Sequence, residues 1–138
     1  MPVWKTRLSV AGLGVLLALW TLLSGCSMLG MGGGEELDLD GDQTYRTDME
    51  VGERLTLDLR DPKSGGYEIV GAYFDPELLD LESYLVHPGD PGEDDRLEYR
   101  FLATAQGDAM IEVRVRPVGS PEAMPEVYKR VLVIIFPE

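Results

Sequence analysis

Few side chains of this 138-residue chain offer chemistry, and no complete catalytic set can be assembled from them. The chain has one Cys and one His, so an internal disulfide, a thiolate metal cage and a histidine-rich metal site are all excluded. The sequence shows no pattern for a Ser/His/Asp set and no glycine-rich phosphate loop followed by Lys. We therefore expect a protein that is not an enzyme and that uses no cofactor or metal.

Three carboxylates in the first third of the chain have the spacing of calcium ligands. Asp38, Asp40 and Asp42 fall at alternate positions, as oxygen ligands do in calcium-binding loops. Such loops require Gly at the sixth position and Glu at the twelfth, where this chain has Gln43 and Met49. We interpret the segment as a solvated acidic linker and keep calcium binding as the alternative.

A second acidic group lies in the loop sequence HPGDPGEDD, which begins at His87. Its carboxylates are Asp90, Glu93, Asp94 and Asp95. Paired carboxylates can do acid–base chemistry only at a fixed separation, which a Gly/Pro loop of like charges does not provide. The sequence therefore predicts a solvated loop tip, with His87 as the residue that ends the preceding strand.

Arg114 and Arg116 are the cations whose spacing is most informative. They alternate with Val113 and Val115, so both guanidinium groups are predicted on one face of a strand, opposite the core. We expect them to pair with carboxylates on neighbouring strands. Contact with an anion or a partner protein is the alternative.

The overall charge restricts the partners. The chain has 12 Lys and Arg against 25 Asp and Glu, a formal net charge of −13. Because so acidic a protein cannot neutralise a row of phosphates, nucleic acid is excluded as a partner.

The N-terminal residues have the anatomy of a secretory signal peptide. Lys5 and Arg7 precede an apolar run over residues 8–23, and small residues follow it. The run is shorter than the roughly 20 residues that span a bilayer. We predict a signal peptide over residues 1–25; an uncleaved transmembrane anchor is the alternative.

The end of this segment, Leu23-Ser24-Gly25-Cys26, resembles the lipobox of bacterial lipoproteins. The resemblance implies that the Cys26 thiol carries a diacylglyceryl group and that the chain is cut just before it. The residue after the Cys is Ser27. In many Gram-negative lipoproteins a residue other than Asp at this position goes with sorting to the outer membrane. We therefore expect a lipid-anchored protein of the cell envelope, on the outer membrane and facing the periplasm.

Between the lipobox and the first strand pattern, the sequence predicts a flexible acidic linker over residues 26–42. Removing residues 1–25 takes away Lys5, Arg7 and no acidic residue, which leaves 10 basic and 25 acidic residues, or −15. An anionic lipid surface repels such a domain. Three consecutive glycines at residues 32–34 are typical of a flexible tether.

The remaining residues, 43–138, alternate apolar and polar side chains in short runs that Gly, Pro and Asp separate. The runs cover residues 55–59, 67–74, 78–86, 97–101, 109–115 and 127–136, with a weaker one at 43–49. This pattern predicts an all-β, immunoglobulin-like β-sandwich of about seven strands, with an open barrel as the alternative. The run 127–136 is apolar on both sides, which predicts a central strand with both faces covered.

One stretch of this domain resembles the chagasin family of cysteine-protease inhibitors. The strand at residues 51–59 leads into Asp61-Pro62-Lys63-Ser64-Gly65-Gly66-Tyr67, where the family has Asn-Pro-Thr-Thr-Gly-Tyr. Asp61 takes the place of Asn, Lys63 and Ser64 replace the two Thr, and the loop is one residue longer. A Gly/Pro loop at residues 87–92 and the segment Arg116-Pro117-Val118, for the family's Arg-Pro-Trp, follow in the same order.

The resemblance implies a sandwich whose three loops at one end insert into the cleft of a papain-like cysteine protease. The implied partner-binding residues are Asp61, Pro62, Lys63, Ser64, Gly65, Gly66, Tyr67, Gly89, Gly92, Arg116, Pro117 and Val118. We predict a membrane-anchored protein-binding lipoprotein that acts as a protease inhibitor. The alternative is a structural or assembly lipoprotein whose partner is another envelope protein.

Overall fold

Eight β-strands in two sheets make up the computed structural model, which describes residues 34–138. The strands are β1 (Glu35–Asp38), β2 (Thr44–Glu50), β3 (Arg54–Arg60), β4 (Tyr67–Tyr73), β5 (Leu79–His87), β6 (Arg96–Ala103), β7 (Gly107–Pro117) and β8 (Glu126–Phe136), with a 3-10 turn at Pro62–Gly65. Sheet A has the order β1-β3-β6-β5 and sheet B the order β2-β8-β7-β4. The predicted all-β sandwich is confirmed, with one strand more than expected. No helix within residues 34–138 is long and apolar enough to cross a membrane.

The core lies between the two sheets and follows directly from the alternation in the sequence. In β3, Leu55, Leu57 and Leu59 are fully buried, while Thr56 and Asp58 point the other way. Sheet B contributes buried aliphatic side chains from β7 and β8, and sheet A contributes Phe101. The Phe101 ring meets Phe74 edge-on, with 5.1 Å between ring centroids. Aliphatic and Phe/Tyr packing therefore holds the sandwich together, as expected for a domain without a disulfide.

The beginning of the fold differs from the predicted boundary at residue 43. Residues 35–38 form β1, which pairs in parallel with β3 so that Glu35 lies opposite Leu55. Leu39 is fully buried, and its backbone N–H donates to the Asp58 carbonyl at 2.8 Å. The predicted linker over 26–42 is therefore wrong for residues 35–39, because burial of apolar side chains outweighs the acidic composition around them.

The most apolar run is the central strand that the sequence predicted, because β8 lies between β2 and β7. Its second face is not covered, however. Leu132 and Ile134 point away from the core and are half-buried, beside Met110, which is 44% exposed. Among the described residues no third layer packs on this face, so the expectation of two covered faces is corrected.

Candidate protein-binding loops

Strand direction brings three loops to one end of the sandwich. We call residues 61–66 loop 1, residues 88–95 loop 2 and residues 118–125 loop 3. Arg60, the last residue of β3, lies opposite Arg96, the first of β6, which in turn lies opposite His87, the last of β5. In the other sheet, Tyr67 at the start of β4 lies opposite Pro117 at the end of β7. The loops implied by the chagasin resemblance are therefore neighbours in space.

Loop 1 is built as a capped 3-10 turn. The Asp61 carboxylate accepts a hydrogen bond from the Lys63 backbone N–H at 3.0 Å, and Pro62 occupies the first position of the turn. Gly66, in the left-handed region at φ +85°, closes it by donating to the Lys63 carbonyl at 3.0 Å. Proline and glycine thus supply the two backbone conformations that this turn requires.

The capping role of Asp61 changes which loop 1 residues can meet a partner. Asp61 and Pro62 are buried, so their side chains serve the turn rather than the surface. The exposed part of loop 1 is residues 63–66, and Tyr67 at the start of β4 is exposed beside it.

Backbone hydrogen bonds join the three loops to each other. The Asp61 N–H donates to the Asp95 carbonyl at 2.9 Å, which connects loop 1 with loop 2. The Val118 N–H donates to the Gly66 carbonyl at 2.9 Å, which connects loop 3 with loop 1. Because loop 1 is bonded on both sides, the three loops form one preorganised surface, and ordering them on binding costs little entropy.

Loop 2 is more ordered than the predicted solvated tip. The Asp95 carboxylate accepts the Gly89 N–H at 3.0 Å, and Asp94 lies 4.0 Å from the Arg60 guanidinium. A Cβ atom on Gly89 would collide with the carbonyl oxygens of Glu93 and Asp94, so the loop closes only with Gly at this position. Gly92 adopts φ +90° and is exposed.

The other carboxylates of loop 2, Asp90 and Glu93, are exposed as predicted. His87 is the last residue of β5, as the sequence predicted. Its Nε2 lies 3.1 Å from a Glu98 carboxylate oxygen.

Arg116 holds loop 3 in place instead of facing a partner. Its Nε donates to the Glu68 carboxylate on β4 at 2.7 Å, and its Nη1 donates to the Pro121 carbonyl at 3.4 Å. The predicted cross-strand pairing is thus confirmed for Arg116. Arg114 instead pairs with Glu112 on its own strand and stacks over the Tyr73 ring, 4.2 Å from the centroid. Of the implied loop 3 residues, Pro117 and Val118 are exposed.

The most exposed apolar side chain of this end was not predicted from the sequence. Met124 in loop 3 is 86% exposed, and Val118 in the same loop is 55% exposed. Tyr67, at the end of loop 1, is also exposed. The available signal for Met124 was a large apolar residue in a proline-containing segment outside every strand pattern. Exposed apolar side chains on preorganised loops are typical of protein-binding surfaces.

Two of the three carboxylates with calcium-ligand spacing, Asp38 and Asp40, contact one guanidinium group. Asp40 forms a short ion pair with Arg96, which also reaches Asp58 at 2.9 Å and Asp38 at 3.6 Å. Partial burial acts to raise the pKa of Asp40, but Arg96, assisted by Arg60, brings that pKa below its usual value. Within residues 34–138 no group of His, Cys, Asp and Glu side chains is arranged to hold a metal ion. The segment therefore ties the start of the domain to sheet A, and it is not the solvated linker that we predicted.

Lys129 is a second cation that sequence patterning did not single out. It lies on the core-facing side of β8, is buried, and donates to the Asp42 carbonyl at 2.7 Å. Burial lowers the pKa of its ammonium group, although the carboxylates of residues 38–42 act in the opposite direction. Lys129 therefore also holds the N-terminal segment against the sandwich.

The predicted lipidation site Cys26 and the predicted signal peptide lie outside the described residues.

Comparison with known proteins identifies the fold. No family model and no curated protein matches the sequence. Among solved structures, the chain is similar to the cysteine protease inhibitor EhICP2 from Entamoeba histolytica, with a TM-score of 0.60 and 15% identity over 75% of this chain and 96% of that chain. It is also similar to PbICP-C, solved in complex with falcipain-2, with a TM-score of 0.52 and 17% identity over 76% of this chain and 100% of that chain. At these identities the likeness shows a shared fold.

Proposed function

We propose that this chain is a membrane-anchored protein-binding domain that inhibits a papain-like cysteine protease with the three loops at one end of its sandwich. In this proposal, loop 1 occupies the middle of the contact and loops 2 and 3 flank it. A lipid on Cys26 holds the domain at the cell envelope.

The observation that carries the proposal is the pair of hydrogen bonds that joins loop 1 to loop 2 and to loop 3. They fix three exposed turns as one surface in a fold that is also found in a cysteine protease inhibitor and in a protein bound to falcipain-2. A rigid surface of this kind suits insertion into a cleft, because little conformational entropy is lost on docking.

The side chains at this end define what the protease surface must offer. Val118 and Met124 are exposed and apolar, so the protease surface that binds them must have an apolar depression. The described residues carry 10 basic and 25 acidic side chains, so basic residues around the cleft would speed association and make it sensitive to salt.

The test is inhibition of purified proteases by the full chain in detergent. Papain and falcipain-2 are titrated with the protein, and hydrolysis of a fluorogenic peptide is followed. We expect reversible inhibition at or below micromolar protein, with greater potency at low salt. Circular dichroism establishes that the sample is folded β-sheet. A folded sample that leaves both proteases fully active at tens of micromolar would contradict the inhibitor proposal.

A second function, a structural or assembly module for another envelope protein, is favoured by one feature of the loops. Loop 1 has Lys63 and Ser64 where the chagasin pattern has two Thr, and loop 3 has Val118 where the pattern has Trp. These changes lie where inhibitors of that family meet the protease. Capture of a single non-protease envelope protein by the detergent-solubilised chain, lost when Met124 is changed to Glu, would support this function over inhibition.

A further inference from the structure

The four edges of the two sheets differ in how well they are protected against pairing with another strand. Sheet A ends at β1 and β5, and sheet B ends at β2 and β4. β1 has only four residues, β2 carries charge at alternate positions, and β4 has a bulge between Ile69 and Gly71. Short length, charge and bulges are the usual devices that keep an edge strand from pairing.

β5 lacks these devices in its second half. A bulge lies between Leu81 and Ser83, after which the strand pairs regularly with β6 as far as His87. Residues 83–87 contain no Pro and no Lys, and no charged side chain points inward. In the middle of this stretch, three successive apolar side chains are exposed: Tyr84 by 47%, Leu85 by 45% and Val86 by 48%. Such a free edge is a template for an additional strand.

A groove beside this edge offers a place for side chains of the added strand. It has a volume of about 250 Å³ and lies between β5 and β4. Tyr84, Val86 and Leu97 line it from sheet A, and Glu68 and Ile69 line it from sheet B. Asp61 and Lys63 of loop 1 and Asp95 of loop 2 complete the lining. An added strand would place alternate side chains into the groove, and apolar ones would fit against Tyr84 and Val86.

Charge indicates which residues the added strand carries on the side that faces away from the groove. β5 has no Lys or Arg, and of its two carboxylates, both before residue 83, Glu82 is ion-paired with Arg54 of β3. The described residues as a whole carry 10 basic and 25 acidic side chains. A second copy of this domain brings the same excess of negative charge and is disfavoured as the occupant. A strand with Lys or Arg on the side away from the groove is complementary.

We propose that residues 83–87 of β5 bind an extended segment of another protein, which adds a fifth strand to sheet A. The segment alternates apolar residues, which face the groove, with basic residues, which complement the excess negative charge of the domain. The groove reaches Lys63 of loop 1, so this site adjoins the loop end, but addition of a strand along β5 does not depend on protease inhibition.

The test uses a blocked nine-residue peptide that alternates Lys and Val, titrated into the full chain in detergent and followed by calorimetry. A second peptide of identical sequence carries N-methyl groups on its Val residues, which keeps charge and apolar content but removes backbone donors. We expect the first peptide to bind and the second to bind at least about tenfold more weakly. Amide hydrogen exchange should slow in β5 on binding of the first peptide.

Matched substitutions separate edge pairing from general attraction to an acidic protein. Val86→Lys places a cation at the edge and should weaken peptide binding at least about tenfold. Met110→Lys changes a similarly exposed apolar residue on the outer face of sheet B and should leave binding unchanged. Equal affinity of both peptides, equal loss in both variants, or no binding at millimolar peptide would overturn the proposal. So would a wild-type dimer in analytical ultracentrifugation that Val86→Lys abolishes, because a second copy would then occupy the edge.

Discussion

Individual side chains at the loop end divide into those that build the surface and those that a partner can touch. Asp61, Gly89 and Arg116 form the turn, the loop closure and the ion pair that position the loops. Val118 and Met124 are largely exposed to solvent, so their apolar area is available for binding. A substitution in the first group is expected to alter the fold, and one in the second group to alter binding.

Met124→Ala tests the second group. Because a large apolar side chain that becomes buried in an interface contributes much of the binding energy, we expect protease inhibition to weaken by about tenfold or more. The urea midpoint should not change, since Met124 is almost fully exposed. Met110→Ala, on the outer face of sheet B, serves as the control and should inhibit like the parent protein. Unchanged inhibition by Met124→Ala would remove this residue from the contact.

The pKa of Asp40 gives the stability a defined dependence on pH. Burial opposes the effect of Arg96 and Arg60, but the net result is a folded-state pKa below the unfolded value. The stabilisation is therefore complete above the unfolded pKa and is lost as the pH falls through the folded pKa, from about pH 4 downward. Glu112, whose pKa Arg114 and Arg130 lower against a smaller effect of burial, contributes with the same sign.

Asp40→Asn should reduce the loss of folding stability at acidic pH. We expect the variant to be less stable than the parent at pH 7 and to approach it as the pH is lowered toward about 3. Urea unfolding at a series of pH values, followed by circular dichroism, measures the difference. A stability gap that stays constant over this range would show that the ion pair does not contribute as described.

At the scale of elements, β1 shows that an acidic segment can be part of the fold. Leu37 and Leu39 alternate with carboxylates over too few residues to stand out as a strand, and the parallel partner β3 is distant in sequence. The strand acquires its stability from tertiary contacts, which local patterning does not report.

Leu39→Ala tests whether β1 belongs to the cooperative domain. Deleting a fully buried leucine side chain should lower the unfolding free energy by about 2–5 kcal/mol. Leu85→Ala makes the same chemical change at a half-exposed site and should cost less than about 1 kcal/mol. Similar effects of the two substitutions would indicate that β1 is dispensable.

The positions of the strands and of the three loops could be predicted from the sequence more completely than the burial and exposure of the side chains in those loops. Alternation with a period of two placed β3 to β8, because one face of each strand is buried. The chagasin resemblance placed the three loops at one end. It could not show that Asp61 is buried or that Met124 is exposed, since burial and exposure depend on contacts between segments far apart in sequence. The binding edge of β5 was likewise hidden, because the number of partners of a strand is a property of the sheet.

For the whole molecule, the remaining prediction concerns the link to the membrane. If Cys26 carries lipid, palmitate fed to expressing cells should label the protein, and Cys26→Ala should abolish the label and release the protein from the membrane fraction. The Ala variant should keep its circular dichroism spectrum, because Cys26 precedes the first strand. Labelling that persists in the variant would contradict lipidation at this residue.

The parallel pairing of β1 with β3 gives such an attachment a polarity. Both strands run toward the three loops, so the chain joins the domain at the opposite end. Covalent geometry limits residues 27–34 to a span of about 29 Å, and the 11 residues of β7 add roughly 36 Å along the domain. Both native tryptophans precede Cys26, so each Trp variant of the cleaved chain would carry a single Trp. Val118→Trp should transfer less energy than Phe136→Trp to dansyl-labelled lipid headgroups, because Val118 lies at the loop end and Phe136 at the opposite end. If Cys26 is lipidated, the loops that we propose for binding are therefore at the end of the domain opposite the one at which the lipid-bearing chain enters it.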